Sequence, residues 1–399
     1  MKVKTVRRIA CVGLVVLLSL GIIACRGSLG FAGSSARRGV EWFTEAYIHI
    51  WPFSSAPKPL LKRPVFPDRD EVAIEVYAPA KEVPTNPVTP VEKKDDGKAA
   101  LVEEVYADVT LYRIEDTDFF MIKPLGVNRD TQSGLKNGTN FLNDLAAKNG
   151  DVDFYAYYIT RAEDYNWYSG YDFFDYPGYV EKAFSDSGLV KFGCFKLADL
   201  SDYFATGYKT DFHVNNRGSH RIYQEIYAML SEKENLSPQA ELLTELSGGW
   251  KMVGDLFSNE AYMAASLTPQ QMDDFRAYVY SIPEYKSFIY DTETKLGMEE
   301  EYAANEIPDT PRFGHQFIYY GGQTGEIRLE FNQPDKKNLL IISDSQGRPS
   351  RLPIASHFNT TVYLDDFQVR RLDVNEIIDK YDIDVVLFMG QRSMFEFYE

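Results

Sequence analysis

Cysteine is scarce in this chain, with three residues among 399. Cys11 and Cys25 lie in an apolar segment near the N-terminus, and only Cys194 lies beyond it. A framework of intramolecular disulfides in the rest of the chain is therefore excluded. A zinc site built from cysteine thiolates is excluded for the same reason, because such a site needs several of them close together.

Positive charge is also in short supply. The chain has 42 Lys and Arg against 59 Asp and Glu, which gives a formal net charge of −17. A general nucleic-acid binder neutralises phosphates with basic side chains, so we expect no nucleic-acid partner. The hydrophobic content of 44% is too high for a disordered chain. The length is sufficient for one large α/β domain or two ordinary ones with a buried core.

The first 25 residues have the pattern of an export signal. Four basic residues precede an uncharged run at positions 9–25, and basic residues stay on the cytoplasmic side while the following chain crosses the membrane. Two alternatives remain open: an uncleaved signal anchor, or a lipoprotein signal cut before Cys25, which would then carry lipid. Both predict a body tethered to the cell membrane on its extracellular side.

Residues 26–105 have the composition of a stalk. Nine of the 19 prolines fall between Pro52 and Pro90. Proline at this density stiffens the chain and removes donors for sheet hydrogen bonds. We therefore predict a proline-rich stalk between the membrane segment and the body.

Residues 106–399 show strand and helix patterns in alternation. Short apolar runs predict strands at 152–159, 339–343, 361–364 and 383–389, and apolar residues at helical spacing predict a helix at 374–381. This alternation predicts an α/β body with a mainly parallel central sheet. Positions 232–311 are mostly polar, and we expect a mainly helical insertion there.

The first motif with chemical potential is Thr210-Asp211-Phe212-His213, followed by Val214-Asn215-Asn216-Arg217-Gly218. A carboxylate two residues from a histidine can bond the imidazole, fix its tautomer and stabilise the imidazolium. An amphipathic helix pattern follows, and either of the two asparagines is suited to cap it.

The second motif is Ser343-Asp344-Ser345-Gln346-Gly347, directly after the apolar run at 339–342. It places Ser345 beyond the end of a buried strand, where parallel sheets carry their reacting groups. The backbone N–H groups of Gln346 and Gly347 are candidates for stabilising a developing oxyanion.

Together, and in this order, the motifs resemble the DHHW family of SGNH-hydrolase-like proteins, which are related to the polysaccharide O-acetylation proteins AlgJ and AlgX. Positions 208–213 stand where the family has Y-K-T-D-H-H-W, and 339–345 match its serine strand. Positions 353–358 match its P-x-L-A-x-H-F passage. Phe212 and Val214 depart from the His and Trp of the family name, and Gln368 replaces an arginine.

The resemblance implies a three-layer SGNH-hydrolase-like fold and a catalytic triad without metal or cofactor. In that triad Ser345 attacks an acetyl carbonyl, His213 accepts its proton and Asp211 orients His213. The acyl group of the acyl-serine then passes to a sugar hydroxyl or to water, so the resemblance implies an O-acetyltransferase or an acetylesterase acting on a cell-surface polysaccharide. A membrane-bound O-acyltransferase is an implied partner. A non-catalytic polysaccharide-binding or scaffold protein with the same fold is the alternative.

An aromatic segment indicates where a polysaccharide would lie. Trp167, Tyr168 and Tyr171 fall in a loop rich in aromatic residues, whose faces can stack on sugar rings. Packing in the core is the alternative for such residues. Arg392 joins them as a substrate-binding candidate, because Gln391-Arg392 matches an E-R ending of the family.

Overall fold

The computed structural model describes residues 97–107, 109–247, 249–291, 296–299, 312–313, 320, 326–365 and 373–397. The predicted membrane segment with Cys25, most of the predicted stalk, and Gln368 lie outside these described residues. Within them, no helix combines the length and the apolar character that crossing a bilayer requires.

The described ranges contain both strands and helices. The strands are β1 (Leu101–Tyr106), β2 (Val109–Ile114), β3 (Phe120–Met121), β4 (Asp153–Ile159), β5 (Val190–Phe195), β6 (Leu242–Leu246), β7 (Lys251–Val253), β8 (Asp273–Asp274), β9 (Ala277–Tyr280), β10 (Lys286–Asp291), β11 (Leu296–Glu299), β12 (Arg312–Phe313), β13 (Glu326–Glu330), β14 (Leu339–Ser343), β15 (Thr360–Asp365) and β16 (Val385–Gly390). The helices are α1 (Arg129–Lys148), α2 (Tyr176–Ser187), α3 (Leu200–Thr206), α4 (Asn216–Ser231), α5 (Asn259–Ala265), α6 (Arg348–Ala355) and α7 (Val374–Tyr381).

An eight-stranded mixed sheet lies at the centre, in the order β11-β10-β13-β15-β14-β16-β4-β5. The last five strands of that order are parallel, and the first three pair antiparallel. The predicted α/β class with a mainly parallel sheet is therefore confirmed. The buried parallel strands carry continuous apolar runs because helices cover both of their faces.

Strand β4 shows how the two faces are filled. Tyr155, Tyr157 and Ile159 belong to one apolar cluster, while Phe154, Ala156 and Tyr158 belong to another. The first cluster includes residues of α4 and α6, and the second includes residues of α1, α2 and α7. Alternate residues of a strand point to opposite faces, so a sheet with helices on both sides forms three layers.

Helix α4 begins where the sequence predicts. The side chain of Asn215 accepts hydrogen bonds from the N–H groups of Arg217 at 2.9 Å and Gly218 at 3.1 Å. These bonds satisfy two of the N–H groups that a helix start leaves without helical partners. A Cβ on Gly218 would lie 2.5 Å from the carbonyl oxygen of Thr206, so only glycine allows this close approach. The cap fixes the chain directly after His213.

The predicted boundary between stalk and body at residue 105 is wrong. Strand β1 crosses it and pairs with β2 from Leu101↔Ile114 to Tyr106↔Val109. Ala99 and Ala100 are already buried, and Ala99 forms a β-bridge with Tyr168. After the last proline of the segment, apolar and charged residues alternate, and this pattern supports the pairing of β1 with β2. The proline content further upstream does not show where the strand begins.

The predicted helical insertion at 232–311 is also wrong for the described residues. They contain strands β6 to β11 and one helix beyond the end of α4, namely α5. Strand β6 pairs with β9, and β10 joins the central sheet beside β13. These strands are short, and β6 and β10 pair with strands about 30 or more positions away, so pairing overrides the weak local preference of each segment.

Gly138 in α1 allows a test of the packing between α1 and the C-terminal segment. A Cβ at this position would overlap the carbonyl oxygen of Phe395, whereas a Cβ on exposed Gly150 would meet nothing within 4 Å. We predict that Gly138→Ala lowers the free energy of unfolding by about 1–3 kcal/mol, the usual cost of overpacking. Gly150→Ala is the control and should stay within about 0.5 kcal/mol of the wild type in denaturant titrations. Equal stability of the two variants would contradict the packing described here.

Candidate active site

The structure brings Asp211, His213 and Ser345 into one hydrogen-bonded chain. His213 Nδ1 lies 2.6 Å from Asp211 Oδ1, and His213 Nε2 lies 2.6 Å from Ser345 Oγ. Asp211 is 2% exposed and His213 is 3% exposed. A carboxylate accepts a hydrogen bond from Nδ1–H, which leaves Nε2 as the acceptor for the hydroxyl. This is the order of groups that activates a serine nucleophile.

Asp211 is held in its charged form. Burial by itself would raise the pKa of this carboxyl, but the electrostatic effect of His213 and hydrogen bonds from its ring and backbone N–H keep the pKa below its usual value. The backbone N–H of His213 donates to Asp211 Oδ1 at 2.9 Å. A charged Asp211 fixes the orientation of the imidazole ring and stabilises the imidazolium that proton transfer creates.

Ser345 lies at the carboxyl end of buried β14, between the parallel strands β15 and β16. A short 3₁₀ turn, Ser345–Gly347, follows the strand, and Asp344 caps it. The two carboxylate oxygens of Asp344 accept from the N–H groups of Gln346 and Gln391, both at 2.9 Å. Asp344 therefore fixes the turn to the end of β16.

The predicted oxyanion donors are already occupied. The N–H of Gln346 donates to Asp344 Oδ1 at 2.9 Å, and the N–H of Gly347 donates to the Asp344 carbonyl at 3.3 Å. The capping aspartate takes these amides because they are the first free donors of the turn. Both amides therefore have partners within the turn, and the role of Gln346 and Gly347 as oxyanion donors stays a prediction.

The loop after β7 encloses Asp211. Thr210 Oγ1 accepts from the N–H of Gly254 at 2.9 Å, and Asp211 Oδ2 accepts from the N–H of Asp255 at 3.2 Å. A Cβ on Gly254 would overlap the Asp211 side chain, so the position requires glycine. Sequence reasoning missed this loop because its contacts bridge 44 positions and follow no local motif.

Asp273, another residue that the sequence did not single out, fixes the segment before Asp211. It is buried and accepts from the N–H of Lys209 at 2.6 Å, the N–H of Thr210 at 2.9 Å and the Thr210 hydroxyl at 2.5 Å. Burial raises the pKa of Asp273 to about 6. The position of Lys209 and Thr210, directly before Asp211, therefore depends on a buried carboxylate of β8.

A third carboxylate, that of Asp255, is exposed beside the triad. Desolvation and the negative charge of Asp211 raise the pKa of Asp255 to about 6. Side-chain atoms of Asp211, His213 and Asp255 lie within 4.8 Å of one another, the one such group with metal-ligand potential in the described part of the chain. Both imidazole nitrogens already bond Asp211 and Ser345, so this arrangement suits proton transfer better than metal ligation.

Phe212, where the sequence departs from the motif that it resembles, packs against the triad. Its ring stacks on the His213 ring with centroids 4.4 Å apart, and the Arg161 guanidinium carbon lies 4.8 Å from the Phe212 centroid. Arg161 Nη1 also donates to Gln391 Oε1 at 2.6 Å. An aromatic ring between a cation and the imidazole is a favourable packing arrangement.

The aromatic candidates separate into two groups. Tyr168 is 1% exposed and packs in the core, so its predicted role in sugar stacking is wrong. Its bridge to Ala99 draws it inward. Trp167 stacks on Tyr165 with centroids 4.1 Å apart, and Tyr171 contacts Tyr112 edge to face. Both remain half-buried, and their role in sugar binding stays a prediction.

Arg392 pairs with acidic side chains near the end of β16. Its guanidinium lies 2.7 Å from Glu396 and 3.6 Å from buried Asp164. Burial and the charge of Glu163 raise the pKa of Asp164 to about 6, while Arg392 opposes this effect. These ion pairs account for Arg392 structurally, and its predicted contact with substrate stays a prediction.

Comparisons with solved structures show which proteins share this fold. Bacillus cereus PatB1 with a sulfonyl adduct is 17% identical, with a TM-score of 0.56, and the match covers 75% of this chain and all of that one. A DHHW family protein from Eubacterium siraeum is also 17% identical, with a TM-score of 0.53, over 75% of this chain and 96% of that one. No protein-family model matches the chain, and no curated protein sequence matches it significantly.

The structural matches confirm the predicted DHHW relationship at the level of the fold. The O-acetyltransferase domain of Pseudomonas putida AlgJ also aligns, at 12% identity over 75% of this chain and 93% of that one, but its TM-score is 0.40. The protein thus has the α/β fold of PatB1 and a DHHW protein. Asp211, His213 and Ser345 are hydrogen-bonded to one another at the carboxyl edge of its sheet.

Gly254→Ala tests whether the loop after β7 positions Asp211. The added Cβ would displace the Asp211 side chain, so we predict a loss of about 10²-fold in kcat on an acetyl ester, as expected for a misplacement near 1 Å. Gly150→Ala serves as the control and should keep wild-type kcat. A Gly254→Ala variant with unchanged kcat would show that the loop does not hold the carboxylate in place.

Proposed function

We propose that the protein is an exported serine O-acetyltransferase or acetylesterase that acts on a cell-surface polysaccharide. The observation that carries this proposal is the hydrogen-bonded chain of Asp211, His213 and Ser345, with both connecting distances at 2.6 Å. Supporting it are the sequence resemblance to the DHHW family and the shared fold.

In the first half of the proposed reaction, Ser345 Oγ attacks the acetyl carbonyl carbon while His213 Nε2 takes the hydroxyl proton. The tetrahedral intermediate then collapses, and His213 returns the proton to the leaving alcohol. Ser345 now carries the acetyl group, and Asp211 has stabilised the imidazolium throughout.

In the second half, a hydroxyl group gives its proton to His213 and attacks the acetyl-serine. A sugar hydroxyl yields an acetylated polysaccharide, and water yields acetate. On both routes His213 returns the proton to Ser345 Oγ as its bond to the acetyl group breaks, which restores the free serine. Exclusion of water from the site decides between transferase and esterase. A membrane-bound O-acyltransferase that supplies the acetyl group is part of the proposal, by resemblance.

The proposed location follows from residues 1–25. A signal anchor or a lipid on Cys25 would tether the body outside the cell, where a surface polysaccharide lies. The strongly acidic composition argues against attraction to anionic lipid, so the N-terminus would be the attachment to the membrane.

A scaffold protein that binds polysaccharide without catalysis is the second candidate. One observation favours it: the N–H groups of Gln346 and Gly347, which would stabilise an oxyanion, donate to Asp344 instead. Such a protein would keep the fold and bind a polymer with an affinity unaffected by Ser345→Ala.

Substitution of the nucleophile separates the two candidates. We predict that Ser345→Ala lowers kcat on an aryl acetate by a factor on the order of 10⁴, since the acyl-enzyme can no longer form. Ser201→Ala, at an exposed serine of α3, is the matched control and should keep wild-type kcat. Equal rates for Ser345→Ala and the wild type would reject the catalytic proposal in favour of the scaffold.

A further inference from the structure

The side chain of Gln346 joins the two halves of the candidate site. Its Nε2 donates to the Phe212 carbonyl at 3.0 Å, and its Oε1 accepts from the Val214 N–H at 3.4 Å. The carboxamide therefore bonds the backbone on both sides of His213. Gln346 is 1% exposed, so these bonds form away from solvent, where an unmade bond is expensive.

This pattern resembles strand pairing. In a parallel sheet one residue bonds two groups of the adjacent strand: the carbonyl of the residue before its partner and the N–H of the residue after its partner. Here the carboxamide of Gln346 makes the same two bonds around His213. The main chain of Gln346 is fixed as well, because its N–H donates to Asp344 Oδ1. Gln346 is thus immobilised in the turn Ser345–Gly347, called the serine turn below. Its side chain bonds residues 207–214, called the histidine loop.

Two backbone hydrogen bonds join the histidine loop to its own stem, while Asp273 and the loop after β7 bond Thr210 and Asp211. The Tyr208 N–H donates to the His213 carbonyl at 3.3 Å, and the Asn215 N–H donates to the Thr206 carbonyl at 2.8 Å. Such bonds shape the loop but do not set its distance from Ser345, which lies 132 positions further along the chain. The two bonds of Gln346 do act across that gap.

We infer that Gln346 is a positioning residue, whose side chain sets the approach of His213 to Ser345. The inference rests on the proposed function, since it concerns the proton transfer between these two residues. A misplacement of about 1 Å at a reacting pair can reduce a rate by about 10²-fold. Gln346 would therefore act through His213 and contribute to turnover rather than to substrate affinity.

The chain offers a matched control in Gln333, which follows β13. Its Nε2 donates to the carbonyl groups of Ser356 at 3.0 Å and Phe358 at 3.2 Å. These acceptors lie beyond the C-terminal end of α6, whereas Ser345 lies before its N-terminal end. Gln333 therefore bonds backbone in the same way, without contact to the triad.

The experiment compares Gln346→Met with Gln333→Met in the full chain, using an aryl acetate as the probe. Methionine keeps the length of glutamine but neither donates nor accepts strongly. We expect kcat of Gln346→Met to fall by about 10- to 100-fold with KM within about threefold of the wild type. Gln333→Met should keep kcat within about threefold of the wild type, although its melting midpoint should shift about as much as that of Gln346→Met.

Gln346→Glu is the second variant, in case the methionine variant does not fold. Its carboxylate keeps the acceptor for the Val214 N–H but places an oxygen against the Phe212 carbonyl, so kcat should again fall with KM retained. Wild-type kcat in a folded Gln346 variant, or equal losses in the Gln346 and Gln333 variants, would overturn the inference. If Ser345→Ala instead reacts as fast as the wild type, the proposed function fails, and this inference loses its premise.

Discussion

The site depends on one constraint: a histidine loop and a serine turn, distant in sequence, must meet at the carboxyl edge of a parallel sheet. The distance of 2.6 Å between His213 Nε2 and Ser345 Oγ expresses this constraint. The buried strands β14 and β16 place the turn, and the cap of α4 places the end of the loop. Rigid elements hold a reacting pair with the small tolerance that proton transfer allows.

Carboxylates other than that of Asp211 surround this meeting point. Asp344 takes the free amides of the serine turn, and Asp273 takes those of the chain before Asp211. Asp255 adds a charge next to the triad. Each of these carboxylates accepts hydrogen bonds from backbone N–H groups or lies beside the imidazole. Some of the acidic residues of the chain therefore shape the candidate site. The segment between α4 and β13 supplies two of them, and it therefore contributes to the site directly.

Local sequence patterns predicted the elements that bury continuous apolar runs. The strand at 339–343 and the helix at 374–381 have the predicted bounds. A strand buried on both faces is a continuous apolar run, and a helix buried on one side has apolar residues at helical spacing, so both patterns are visible in the local sequence. The Asp211-His213 and Ser345 motifs are also local, but only their joint resemblance to the DHHW family linked them in one predicted triad. The bond from the Gln346 N–H to Asp344 was not predicted, because the motif was not recognised as a turn that its own aspartate caps. Tyr168, Gly254 and Asp273 were beyond reach, because their roles come from contacts with distant segments.

The central claim is that Ser345 carries the acetyl group during the reaction. The most direct measurement is mass spectrometry of the peptide containing Ser345 after the full chain has been mixed with an aryl acetate and quenched in acid. The account predicts an acetyl group on Ser345 in the wild type and none on that peptide in His213→Ala. Release of acetate at the wild-type rate, with Ser345 never acetylated, would contradict it.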